Sequence, residues 1–246
     1  MHAVFPLPPG GLSHLAALAG AAGLVAGLAA VERKGAFQLM VSRPLVLAPL
    51  MGLALGDLQG GLLLGVPLEL LFLGGVNLGG AVPENETLLS AALASAVLPA
   101  GIATGRGADP AICALGLLLL APLVLIGRWL DRTGEARAVA LVGRARVLTA
   151  LGDPDPARIQ LRGLYWPLLT TGAICVLCVF ASPLLGELRN RCGAQMLIGL
   201  EGSWHAAQAL SVAAAIRAIR EPRALWLAAV AALAVFGAAL LMRVHG

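Results

Sequence analysis

Residues 62–85 read "LLLGVPLELLFLGGVNLGGAVPEN". Most of this stretch has the composition of a membrane helix. Yet Glu69 stands among leucines, Pro67 and four glycines (Gly74, Gly75, Gly79 and Gly80) interrupt the run, and Asn77 follows. A charged side chain at the centre of a bilayer costs about 2.5–3.5 kcal/mol on insertion scales, so a carboxylate there is either functional or paired with a cation. Proline and the glycines predict a broken helix. Non-helical backbone at membrane depth persists only where it is buried in protein or lines a cavity, so a discontinuous or re-entrant segment is expected. If 69–77 is helical, the spacing puts Glu69 and Asn77 on one face. A carboxylate and an amide suit a sugar, whose hydroxyls both donate and accept. They also suit a cation.

The segment "LGDLQGG" precedes the stretch and holds Asp57 and Gln59. Asp57 reads equally as a helix cap among glycines and as a ligand. At the other end, Glu84 and Asn85 either cap the next helix or close the mouth of a site, since acids and amides suit a helix N-terminus.

The whole chain fits this reading. Of its 246 residues 59% are hydrophobic and 12% charged, against about 25% charged in soluble domains. An all-α polytopic membrane protein of about six to eight spans, forming one domain over residues 1–246, is expected. The 31 glycines and 15 prolines suggest close packing and broken helices. The net charge of +4 does not point to nucleic acid, because the arginines lie between apolar runs, as in loops facing cytoplasm and anionic lipid.

Spans are expected at about 12–31, from 86 onward, and at 110–127, 164–186, 194–216 and 224–242, with short pieces at 44–56 and 61–83. The N-terminal run lacks a preceding basic region and reads as a retained span. Glu32, Arg33, Lys34, Gln38 and Arg43 predict a short amphipathic interfacial helix. Residues 128–163 hold seven arginines against four acids. They read as a cytoplasmic amphipathic segment ended by "GDPDP", and "ELRNRCG" (187–193) as a turn. Glu201, His205 and Gln208 fall on one helical face, predicting a polar stripe toward the bundle interior. Cys175 and Cys178 form C-x-x-C inside an apolar run, where packing is the better reading. No nucleotide-binding, metal or catalytic motif is present, and no cofactor is expected.

Residues 42–85 carry Arg43-Pro44-Leu45, Gly52 with Gly56-Asp57, Gly65 through Leu68-Glu69, Leu73-Gly74 with Gly79, and Pro83-Glu84, preceded by Glu32 and Gln38. In that order and spacing they resemble the membrane subunit IIC of the mannose/fructose/sorbose family of the bacterial phosphotransferase system. The resemblance implies a bacterial inner-membrane subunit that translocates sugar together with a IID membrane subunit, in an oligomeric complex. It implies soluble IIA and IIB partners that carry phosphate on histidines, and no phosphorylated residue on this chain. It also implies a sugar site among the broken helices, with Glu69 and Asn77 first, then Asp57 and the 83–85 turn. A stand-alone ion-coupled transporter and a non-transporting membrane scaffold or sensor remain the alternatives.

Overall fold

The computed structural model describes residues 11–35, 38–73, 84–150, 156–219 and 226, and every element among them is helical. α1 (Gly11–Lys34) is an apolar run that ends on Arg33 and Lys34, cations that complement the negative C-terminal end of the helix dipole. Among the described residues of 32–43 no separate interfacial helix forms. Glu32 to Lys34 belong to α1, and 38–43 is an irregular loop. The Glu32 carboxylate accepts the N–H groups of Met40 (2.7 Å) and Ser42 (2.9 Å). These donors therefore have a side-chain partner in place of a helix ladder.

α2 (Pro44–Leu55) and α3 (Leu58–Phe72) form a tight hairpin. Pro44 opens α2, where its missing N–H costs nothing. Gly56 ends it in the left-handed region at φ 90°. Asp57 then caps α3 by accepting the Gly60 N–H at 2.7 Å. The helices touch backbone to backbone: a Cβ on Gly61 would lie 2.5 Å from the Ala48 carbonyl oxygen. Pro67 does not break α3, contrary to expectation. It is a buried interior residue of a helix that runs on to Phe72. Packing against α2, α4 and α8 holds the turn that lacks a hydrogen bond.

α4 (Glu86–Ala103) is the axis of the molecule. Residues 87–101 are all buried, and α1, α2, α3, α5, α6 and α7 pack around it. Its alanines let neighbours approach, and Ser90 and Ser95 donate to their own helix carbonyls rather than stand unpaired. α5 (Pro110–Leu120) starts at the Asp109 cap and meets α6 (Leu123–Ala150) at a 45° bend. α7 (Pro156–Arg191) packs along α1 and α4, and α8 (Ala194–Ile219) rests on α3 and α5. The turn expected over 187–193 shrinks to Cys192 and Gly193, because α7 continues through Arg191, which pairs with Glu187 one turn earlier.

Among the described residues, α1, α4 and residues 161–191 of α7 are long and apolar enough to cross a membrane, and the bent α5–α6 pair is a fourth. That is fewer than expected from the sequence. α2 and α3 are too short to cross alone, α8 is not among the four, and the run 224–242 lies outside the described residues apart from Trp226. Of the polar stretch 128–163, residues 151–155 lie outside the described residues. Its first part continues α6 without a break, and its last part forms the first turns of α7.

Candidate functional site

The last turn of α3 delivers Glu69 to the N-termini of α2 and α4. Arg43, extended just before α2, lies between two carboxylates. Its guanidinium is 2.6 Å from Glu69 and 3.1 Å from Glu86. The second Glu69 oxygen accepts the Leu45 N–H at 3.3 Å, so the side chain also caps α2 at its positive end. Burial pulls the Arg43 pKa down, but Glu86 and Glu69 outweigh it and hold the guanidinium above its ordinary value. Glu69 therefore has a cation partner, Arg43, within its own layer.

The layer continues sideways. Glu84 pairs with Arg128 at 3.0 Å, and its carbonyl accepts from Arg33. Asp131 receives Arg33 at 2.8 Å and Lys34 at 3.1 Å. Asn85 is buried and caps α4 through the Leu88 N–H at 2.9 Å. Beside it opens a cavity of about 630 Å³ between the end of α1, α6 and α7, lined by Arg33, Lys34, Asn85, Asp131, Glu135 and Trp166 among others.

The structure therefore gathers Glu69, Glu84 and Asn85 in one charged layer. Asp57 and the exposed Gln59 stand at the opposite end of α3, about 18 Å from Glu69 at 1.5 Å per helical residue. One monosaccharide cannot touch both ends. Asn77 lies outside the described residues. Near Asp57 the Asp109 cap pairs instead with Arg189 at 2.5 Å. The stripe Glu201, His205 and Gln208 faces away from the bundle interior. Glu201 and His205 are exposed, His205 meets Gln208 at 3.2 Å on its own helix, and the neighbouring Trp204 is the buried side chain. Sequence reasoning missed Arg43 as the partner of Glu69 and Glu86. The one available signal was an arginine next to Pro44 at the start of a short apolar helix.

Known proteins give this arrangement its relatives. Residues 17–231 match the family described as the PTS system sorbose-specific IIC component. The chain belongs to this IIC family. It is accordingly a multi-pass protein of the bacterial cytoplasmic membrane. The fructose permease IIC component of Bacillus subtilis (strain 168) is 37% identical over 97 residues, which cover 39% of this chain and 35% of that protein. A proposed N-acetylgalactosamine permease IIC component 2 of Escherichia coli (strain K12) is 45% identical over 65 residues, 26% of this chain and 48% of that one. The IIC chain thus spans between a third and a half of the length of the curated relatives it matches. Two solved structures share the fold over 92% of this chain and 93% of theirs. One, described as a membrane protein, has a TM-score of 0.65 at 21% identity. The other, the mannose transporter ManYZ in complex with microcin E492, was solved by cryo-EM and has a TM-score of 0.54 at 22% identity.

Proposed function

We propose that this IIC chain is the sugar-translocating membrane subunit of a phosphoenolpyruvate-dependent phosphotransferase system, working beside a IID membrane subunit. The observation that carries this reading is the family match over residues 17–231. In the proposed system soluble IIA and IIB proteins carry the phosphate, and the sugar receives it as it emerges. The chain's own task is to bind a hexose, orient it and exclude competing water.

The charged layer supplies chemistry for that task. Glu69 and Glu86 offer acceptors and Arg43 offers donors within one hydrogen-bonded group, which matches hydroxyls that donate and accept in turn. Glu69 is the proposed sugar contact, with Asn77, Glu84 and Asn85 contributed by the segment that follows α3. Asp57 and Gln59 serve only the opposite mouth of the path. The short α2–α3 hairpin is the proposed re-entrant element, and the arginine-rich stretch 128–163 faces the cytoplasm.

The test is radiolabelled hexose uptake in cells that express the chain with IID, IIA and IIB proteins. Glu69→Gln, still present in the membrane, is expected to lose at least about tenfold in uptake, the worth of one hydrogen bond to a charged group. Full uptake by that variant removes Glu69 from the site. Gradient-driven uptake in liposomes by the chain alone would instead identify an ion-coupled transporter.

A further inference from the structure

On α6, two acids and two arginines lie on different faces. The acids Asp131 and Glu135 turn toward α1, where Arg33 and Lys34 meet them. Arg137 and Arg144, seven residues apart and so on one helical face, turn the other way. There, with Arg162 of α7, they line a recess of about 380 Å³. All three arginines are exposed. None of them pairs with a carboxylate among the described residues, and no described acid lines the recess. Three like charges converge here without a counter-charge among the described residues.

The floor is rigid. The Arg137 guanidinium stacks on Trp166, 3.4 Å from the ring centroid. The indole N–H donates to the Leu130 carbonyl at 3.1 Å. Gly134 makes room for the ring, since a Cβ there would lie 2.7 Å from Trp166 Cδ1. A stacked guanidinium keeps its N–H edge free for an anion.

The surroundings decide which anion. The apolar run of α7 begins at Leu161, and that of α1 ends at Arg33 and Lys34 on the same side. The recess therefore sits where the spans enter the interface. Its rim continues onto Tyr165 and Leu169, exposed by 57% and 64%. Tyrosine and tryptophan at this depth mark the headgroup level of a bilayer. A free anion has no use for an apolar rim, whereas acyl chains do.

We propose that the recess between α6 and α7 binds the phosphate headgroup of an anionic phospholipid. In this site Arg137, Arg144 and Arg162 hold the phosphate, and Tyr165 and Leu169 seat the chains. The site is separate from the charged layer around Glu69, and it anchors the long α6 helix to the membrane surface.

The test is native mass spectrometry of the full chain in mild detergent, titrated with dioleoyl phosphatidylglycerol, dioleoyl phosphatidylcholine and inorganic phosphate. Phosphatidylglycerol is expected to bind at least tenfold more tightly than phosphatidylcholine, because each basic side chain near such a headgroup changes affinity about fivefold. Arg144→Gln with Arg162→Gln is expected to lower phosphatidylglycerol affinity at least tenfold, while Lys at both positions keeps most of it. If the double variant loses its gel-filtration profile, Arg162→Gln alone is read, with an expected loss of about fivefold. Equal binding of the two lipids overturns the proposal. So does displacement by millimolar inorganic phosphate, which would make this a free-anion site. Unchanged binding in the glutamine variants also overturns it.

Discussion

Arg43 is the residue on which the charged layer turns. Its two carboxylate partners come from elements that meet nowhere else in sequence: Glu69 closes α3 and Glu86 opens α4. With Arg43→Met, two acids face each other without their shared cation. We expect a loss of about 2 kcal/mol in stability, in the range for a hydrogen bond to a charged group. Glu69→Gln keeps an acceptor for the guanidinium and is expected to cost less. Thermal unfolding of the purified variants orders the two, and a Met variant as stable as the parent would show that the triad adds nothing to folding. Asp57 and Asn85 are a simpler case. Both act as helix caps, as their placement just before apolar runs suggests. A cap is a short-range interaction and is therefore readable from neighbouring residues. The pairing of Arg43 with Glu69 is not, because the two are 26 residues apart.

At the scale of elements, the α2–α3 hairpin depends on close backbone approach. Gly61→Ala places a methyl group 2.5 Å from the Ala48 carbonyl oxygen, and is expected to cost about 1–3 kcal/mol, as overpacking does. Gly199 in α8 provides the contrast. Nothing lies within 4 Å of a Cβ added there, so Gly199→Ala is expected to be neutral or to stabilise α8 by up to about 1 kcal/mol through helix propensity. Comparison of the two melting temperatures checks the packing directly, and equal shifts would contradict it. Pro67 belongs to the same argument. From the sequence it reads as a break, because proline removes a hydrogen bond and crowds the preceding turn. Inside a helix clamped by three neighbours, that local cost does not decide the outcome.

For the whole molecule, α4 is the protected centre and α6 the exposed arm. The α4 span is 83% buried, against 39% for the spans of α1 and of α7. Residues 135–140 of α6 are exposed on every side of the helix. Local opening follows burial, so amide exchange is expected to be slowest in α4 and fastest in α6 beyond Glu135. Hydrogen–deuterium exchange in detergent micelles measures this, and comparable protection in both helices would contradict the architecture. In bilayers containing phosphatidylglycerol, the lipid site proposed above is expected to slow exchange in α6 and leave α4 unchanged.

Membrane class, helical content and most helix starts were determined by the sequence itself. Apolar fraction, proline at a first helical turn and an acid or amide at a cap act within a few residues, so no tertiary partner is needed to read them. Part of the family resemblance was legible for a related reason: Gly52 and Gly65 serve the close contacts of one hairpin, and Arg43 and Glu69 pair at its open end. Which of those charges meet depends on how the helices pack. The tertiary structure paired Glu69 with Arg43, joined Arg33 to Asp131 across 98 residues of chain, and placed Asp57 at the far end of α3 from the layer it was expected to share. It also turned His205 away from the bundle interior and carried α3 through Pro67. Each of these outcomes depends on which helix packs against which. Hydrophobic periodicity is a poor guide to that where lipid and protein faces are both apolar.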